Sequence, residues 1–171
     1  MVTIRSAGLE DVSTIAAINV RGWKAAFRDI IPDDFLDRID AEERQSFIGQ
    51  MILTGDPYRV AVAEDVGEVV GYVMLGPPIA EDLEPSTIHE LYSLYIEPDR
   101  IGTGLGRSLM DHALQHLRNG DWDEAVLWTF QDARRTSRFY ERAGWYRDGA
   151  EKTEEIPEGN PVIQVRFRID L

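Results

Sequence analysis

Three glycines alternate along a short stretch near the middle of the chain, at Gly102, Gly104 and Gly106. A β-rich run ends before them at Ile96, and apolar residues with helical spacing follow them. Glycine leaves main-chain N–H groups bare, and N–H groups at a helix start bind phosphate oxygens because the helix dipole favours an anion there. Arg107 adds a forked cation. The sequence therefore predicts a phosphate-binding turn at a strand-to-helix junction.

Two common phosphate-binding motifs do not fit this turn. A Walker loop needs lysine where Arg107 stands and a first glycine where Ile101 stands. A dinucleotide fingerprint needs a third glycine three residues after the second, and neither starting point in the turn supplies one. The glycines could also serve only as a flexible turn at the start of a helix. Three glycines in alternation cost backbone entropy on folding, which makes that interpretation weaker. A nucleotide-dependent enzyme stays an alternative function.

A third motif fits, because residues 90–146 resemble the GNAT superfamily of acyl-CoA-dependent N-acetyltransferases. Its first signature, Q/R-x-x-G-x-G/A before a helix, is matched by Gly104-Leu105-Gly106, with Ile101 at the Q/R position. Its second, F-Y-x-x-x-G-F, is matched by Phe139-Tyr140-Glu141-Arg142-Ala143-Gly144-Trp145. Ala133 stands where many members have asparagine. The N-terminal aromatic run is also similar to many members, so the resemblance spans nearly the whole chain.

The resemblance implies that acetyl-CoA is the co-substrate and that its acetyl group moves to a primary amine by direct attack. The diphosphate would lie on the glycine amides, and the pantetheine arm would run beside a strand as an added strand. That strand would carry a bulge with an N–H group for the thioester oxygen. The residues implied to bind acetyl-CoA are Leu94, Tyr95, Ile96, Ile101, Gly102, Thr103, Gly104, Gly106 and Arg107. Tyr140 would donate a proton or hydrogen bond to the departing sulfur, unless it is a core tyrosine.

The acceptor amine has to lose a proton before it attacks. An alkyl amine with a pKa near 10.4 is neutral in only about one molecule in 2,500 at pH 7. Glu90 is the candidate base, since some family members place a catalytic glutamate there; a water chain and a merely exposed carboxylate are the alternatives. His89 would point to the opposite face of the strand. Trp23, Phe27 and Tyr92 would line the acceptor pocket, although Trp23 and Phe27 at helical spacing also fit a core.

The elements that position these residues follow from periodicity and turn signals. Helices are predicted at residues 11–28, after a capping box at Asp40 and Glu43, at 104–117 and at 133–143. Strands are predicted at residues 3–6, 58–64, 68–75, 88–96, 124–130, 145–147 and 161–170, with an acidic loop at 151–160. The connection from residue 96 to 124 is too long for a hairpin, which predicts a parallel pair with a helical crossover.

The fold class expected is α/β with a mixed sheet, mostly antiparallel with one central parallel pair, flanked by helices. The resemblance makes this one acetyltransferase domain over residues 1–171. The chain has no cysteine, which excludes disulfides, thiolate zinc sites and a cysteine nucleophile. It has no apolar leader and no run of 18 apolar residues, so a cytoplasmic protein without a membrane partner is expected.

Charge separates two parts of the chain. The net charge is −13, which argues against nucleic acid as a partner. Residues 1–99 hold 7 basic and 19 acidic side chains, an excess that hints at a cationic acceptor. Residues 100–147 hold 8 basic and 6 acidic side chains, and this segment contains the glycine turn. His112 and His116 lie one helical turn apart, but with no third ligand evident no metal is expected.

These observations together predict an N-acetyltransferase that acts on a small-molecule or peptide amine. A non-catalytic sensor of acyl-CoA or CoA is the alternative, since Ile101 and Ala133 depart from the family pattern. A homodimer is a further expectation, through the alternating final strand at residues 162–169.

Overall fold

A computed structural model describes residues 1–157 and 159–171. In this part of the chain seven strands form one mixed sheet in the order β1-β2-β3-β4-β5-β7-β6. The strands are β1 (Val2–Ser6), β2 (Arg59–Asp65), β3 (Glu68–Gly76), β4 (Ile88–Ile96), β5 (Glu124–Phe130), β6 (Tyr146–Glu154) and β7 (Val162–Asp170). Only β4 and β5 run parallel; every other neighbouring pair of these strands is antiparallel. The predicted fold class is confirmed.

Helices cover both faces of the sheet. They are α1 (Val12–Phe27), α2 (Asp33–Asp37), α3 (Ala41–Thr54), α4 (Leu105–Arg118) and α5 (Arg134–Arg142). The apolar stripe of α4, which includes Leu109 and Leu117, is buried against one face, and α1 and α3 pack on the other. Each fully buried leucine contributes about 1.5–3 kcal/mol through removal of apolar surface from water. No helix in the described residues is both long enough and apolar enough to cross a membrane.

Local signals place most of the boundaries. The Asp40 side chain accepts a hydrogen bond from the Glu42 N–H at the start of α3, which confirms the predicted cap. Val66 and Gly67 both have positive φ in the turn between β2 and β3, as a tight hairpin turn requires. Gly144 ends α5 with a φ of 96°, as expected for the residue after a helix.

Two expectations about the C-terminal strands are wrong. β6 continues to Glu154, so residues 151–154 are strand rather than loop, because β7 supplies partners along that whole length. β7 is hydrogen-bonded to β5 on one side and to β6 on the other. It therefore has no free edge to pair with a second copy, and the predicted route to a homodimer is unavailable to this strand.

The parallel pair opens towards one end. β4 and β5 pair only at Ile88–Glu90 against residues 124–126, so residues 91–96 of β4 have a strand partner only in β3. β4 also bulges, since Leu91 faces Leu75 and Ser93 faces Met74, which leaves Tyr92 as the extra residue. The bulge expected from the family resemblance is present. The sheet therefore offers an unpaired strand edge beside a gap.

Candidate active site

The glycine turn leads from the end of β4 into α4. Gly102 and Gly104 have φ values of 87° and 92°, a region that side chains other than glycine rarely adopt. A Cβ atom at either position would meet nothing within 4 Å, so the turn faces open space. The N–H groups of Gly102, Gly104 and Gly106 donate to no acceptor in the described part of the chain. The turn thus presents unpaired donors at a helix N-terminus, an arrangement suited to an anion.

A groove of about 910 Å³ runs from this turn along the open edge of β4. Most residues predicted to bind the co-substrate line it, together with Tyr140: Leu94, Tyr95, Ile96, Ile101, Gly102, Gly104, Gly106 and Arg107. Thr103 is not among the lining residues. Its N–H and its hydroxyl both donate to the carbonyl oxygen of Arg100, at 3.3 and 2.7 Å, which fixes the turn.

Four further cations that the sequence motifs do not assign line the groove. They all lie on α5: Arg134, Arg135, Arg138 and Arg142. The basic excess of residues 100–147 indicated an anion-binding segment, but net charge alone does not show which of its arginines line the same groove. Ala133 lies at the N-cap of α5 and is packed into the core beside Phe130.

A second cavity, of about 950 Å³, adjoins the groove along β4. The predicted acceptor residues Trp23, Phe27 and Tyr92 all line it. Trp23 and Phe27 make an edge-on contact at 5.2 Å between ring centroids, and Phe27 packs in the same way on Phe130. The aromatic residues of α1 therefore belong to a core cluster and form a cavity wall at once.

The two cavities meet where β4 and β5 separate. Six residues line both of them: Phe27, Tyr92, Ser93, Tyr95, Trp128 and Thr129. Trp128 and Thr129 were not predicted to line a cavity. The alternation of side chains along β5 indicates which face of the sheet each residue occupies, but not which cavity lies on that face. A molecule in the groove and a molecule in the second cavity would come into contact at this junction.

Glu90 is buried in the wall of the second cavity, with only 5% of its surface exposed. Its carboxylate accepts a hydrogen bond from the Ile79 N–H at 2.8 Å. Burial raises the pKa of Glu90 above its ordinary value, while that hydrogen bond and the charges of Lys152 and Arg166 act to lower it. Glu90 is therefore a desolvated carboxylate, rather than an exposed group at a strand end.

Tyr140 lies in the groove wall with 7% of its surface exposed. Its ring packs against Trp145 and Phe167, with centroids 6.3 and 5.9 Å apart. Burial raises the pKa of the Tyr140 phenol, so the hydroxyl keeps its proton throughout the neutral pH range. It can act as a hydrogen-bond donor to a group bound in the groove.

The histidines lie elsewhere. His89 is 1% exposed and packs on Trp122 at 4.1 Å between ring centroids, on the α4 side of the sheet. Burial lowers its pKa to about 4, so it is neutral at physiological pH. His112 and His116 lie on α4, and burial lowers the pKa of each. Among the described residues, no group of three or more histidine or acidic side chains is placed to hold a metal ion.

Comparison with known proteins identifies the family. The model of the acetyltransferase (GNAT) family matches residues 23–145. The chain is 31% identical to the N-acetyltransferase YuaI of Bacillus subtilis (strain 168) over 132 residues, which are 77% of this chain and 73% of that protein. It is 28% identical to a phosphinothricin N-acetyltransferase of Alcaligenes faecalis over 123 residues, 72% of this chain and 57% of that protein.

A solved structure supports the same conclusion about the fold. The PaiA N-acetyltransferase of Thermoplasma acidophilum, crystallised in complex with coenzyme A, aligns with a TM-score of 0.76 and 18% identity, over 100% of this chain and 99% of that one. The glycine turn, the separated parallel strands and the family match agree, and the chain belongs to the GNAT family of acetyltransferases.

Proposed function

We propose that this protein transfers an acetyl group from acetyl-CoA to the primary amine of a small molecule or peptide, with the residue roles given below. As a member of the GNAT family it is an acetyl-CoA-dependent N-acetyltransferase. The observation that supports the proposed roles is the junction of two cavities between β4 and β5. One cavity has unpaired N–H donors and cations, and the other has aromatic walls and a buried carboxylate.

The groove fits CoA on features of this chain. The N–H groups of Gly102, Gly104 and Gly106 would hold the diphosphate, and Arg107 and the arginines of α5 would add positive charge. The open edge at Leu94–Ile96 would pair with the amide groups of the pantetheine arm. Acetyl-CoA supplies the activated thioester in this reaction.

The chain's own groups would handle the protons. Glu90 would accept a proton from the acceptor's ammonium group in the second cavity. An N–H group of β4 next to the bulge would donate to the thioester oxygen, and such a donor contributes about 3–4 kcal/mol. Tyr140 would donate a hydrogen bond that strengthens as negative charge develops on sulfur.

Gly104→Ala is expected to weaken CoA binding about tenfold or more, because the new methyl group occupies the space that faces the diphosphate and the left-handed turn is strained. Isothermal titration with CoA measures the loss. Gly149→Ala is the matched control, since Gly149 has the same φ of 92°, equally open surroundings and no place in the groove. Both variants should lose about 1–2 kcal/mol of stability. Equal CoA affinity in the two variants would contradict the assignment.

The function itself is tested by thiol release from acetyl-CoA across a broad amine panel. The protein has no cysteine, so every thiol detected comes from CoA. We expect turnover with at least one class of primary amine. Stabilisation by CoA with no turnover on any amine would instead support the sensor, which Ile101 and Ala133 keep as the second candidate. Stabilisation by ATP or NAD without any response to CoA would contradict both.

A further inference from the structure

Two cations in the second cavity have no ion-pair partner in the residues that the structure describes. They are Arg44 on α3 and Lys152 on β6, and both line the cavity. Arg166, whose charge also acts on Glu90, is by contrast already paired: it binds Asp148 and Asp82 at 2.7 and 2.8 Å. Lys152 is exposed, whereas Arg44 is half-buried, and a half-buried cation without a counter-charge in a cavity wall indicates a ligand that brings a negative charge.

Arg44 is held in place without an anion. Its guanidinium group lies over the ring of Trp23, 5.0 Å from the ring centroid, and its Nε atom is buried with no hydrogen-bond partner among the described residues. The positive charge of Arg44 acts to lower the pKa of Tyr95, which burial raises strongly. Since Tyr95 lines both cavities, the positive charge of Arg44 acts on a residue at their junction. Arg44 therefore places a guanidinium group without a counter-charge in the wall of the cavity that would hold the acceptor.

Lys152 adds positive charge to the cavity wall near Glu90. Its ammonium group lies over Trp128, 4.3 Å from the ring centroid, and its charge acts to lower the raised pKa of Glu90. The other charged lining residues are Arg38, Asp40 and Glu43; both of these acids are exposed, and Asp40 caps α3. The acidic excess of residues 1–99 is thus not concentrated in this cavity, where basic and acidic residues are equal in number.

We propose that the acceptor is an amine that also bears a free carboxylate, as amino acids do, and that Arg44 binds the carboxylate while the amine faces Glu90. The proposal rests on the proposed function and specifies its substrate class. A purely cationic amine would be repelled by Arg44 and Lys152 and would bring no negative charge to pair with Arg44. A zwitterion satisfies both ends of the cavity, and a guanidinium group offers a carboxylate two parallel hydrogen bonds. A peptide N-terminus lacks a carboxylate next to its amine and is disfavoured.

The test compares matched amines on the wild-type protein. The panel contains methionine, leucine, phenylalanine, 4-aminobutanoate and 5-aminopentanoate, each with its carboxamide and its decarboxylated amine. We expect kcat/KM for at least one amino acid to exceed that of both partners by about 10- to 100-fold, the range for a hydrogen-bonded charged group. Preference for the carboxamide would point to peptide N-termini, and preference for the plain amine to a cationic acceptor; either result overturns the proposal.

Arg44→Gln should remove the preference, mainly by raising KM for the amino acid, so that the amino acid and its plain amine react with similar kcat/KM. Arg44→Lys should restore part of it. Arg118→Gln, at the exposed end of α4 outside both cavities, removes the same charge and should keep the wild-type preference. An equal loss on all amines in Arg44→Gln would overturn the role of Arg44.

Binding of the panel to the CoA complex, measured by isothermal titration, separates this proposal from the proposed function. Binding of an amino acid that depends on Arg44 without any thiol release would contradict catalysis and support the carboxylate site. Thiol release from plain amines alone would support catalysis and contradict the site. Neither binding nor release with any member of the panel would overturn the carboxylate site.

Discussion

Tyr140→Phe is expected to lower kcat about 100-fold or more while the dissociation constant for CoA stays nearly unchanged. A positioned proton or hydrogen-bond donor to a reacting group contributes about 10²–10⁴ in rate, and the substitution removes only the hydroxyl. The phenylalanine ring keeps the contacts with Trp145 and Phe167, so the variant should fold. Steady-state kinetics, CoA titration and thermal melting measure the three quantities.

The pKa values of the phenol and of the departing thiol indicate that Tyr140 assists by a hydrogen bond rather than by complete proton transfer. A phenol with a pKa near 10 that gives its proton to a thiolate with a pKa near 8.5 is uphill by about 2 kcal/mol. Burial raises the pKa of Tyr140 further, so complete transfer is less favourable still. A hydrogen bond that strengthens as sulfur becomes negative avoids this cost, and it is lost in the variant. The raised pKa also means that Tyr140 imposes no loss of activity in mildly alkaline solution.

Tyr146→Phe is the matched control. Tyr146 is an exposed phenol at the start of β6, outside both cavities, and its hydroxyl donates to Asp170. Its removal should leave kcat at the wild-type level. If kcat of Tyr140→Phe also stayed at that level, Tyr140 would be a core residue and another group would assist the departing sulfur.

Sequence alone predicted the parts of the site that are local in the chain. The glycine turn, the start of α4 and the end of α5 each depend on a few consecutive residues, whose backbone preferences act over one or two turns. The strand carrying Leu94–Ile96 was also located, because its β-rich run is bounded by turn signals. The parallel pairing followed from the length of the connection between two strands.

The second cavity was less predictable because distant segments build it. Arg44 comes from α3, Lys152 from β6 and Trp128 from β5, and the sequence has no feature that brings these three together. The separation of β4 from β5 could not be predicted either. Each strand has a regular β-rich sequence, and the gap depends on where the hydrogen bonding between the two strands ends. Residues 151–154 read as a loop because their acidic composition reflects an edge strand that faces water.

Glu90→Gln is expected to lower kcat/KM by about 10²–10⁴ at pH 7 and to change the pH profile. Glutamine has nearly the same shape and can still accept the hydrogen bond of the Ile79 N–H, so the wall of the cavity is kept. With Glu90 present, activity should rise as the pH passes the raised pKa of its carboxyl group, because only the ionised form accepts a proton. Without it, activity should rise only towards the pKa of the amine itself, near 10.4 for an alkyl amine.

The same substitution should raise stability although it lowers activity, because ionisation of a buried carboxylate costs free energy in the folded protein. A group whose pKa is higher in the folded than in the unfolded protein costs stability once the pH rises above its unfolded value, and the cost is complete above its folded value. The wild type should therefore lose stability as the pH rises through the pKa of Glu90, and Glu90→Gln should melt at a higher temperature at pH 7 but not near pH 4.

Glu97→Gln makes the same change just beyond the other end of β4, where the carboxylate pairs with Arg21 outside both cavities, and should leave the pH profile unaltered. A variant at Glu90 that melts higher yet keeps the wild-type profile would show that the proton leaves by another path, such as a chain of water molecules. A variant that melts higher, loses activity at pH 7 and regains it towards pH 10 would assign the base to Glu90, because a structural carboxylate gives no reason for recovery at the pH where the amine deprotonates by itself.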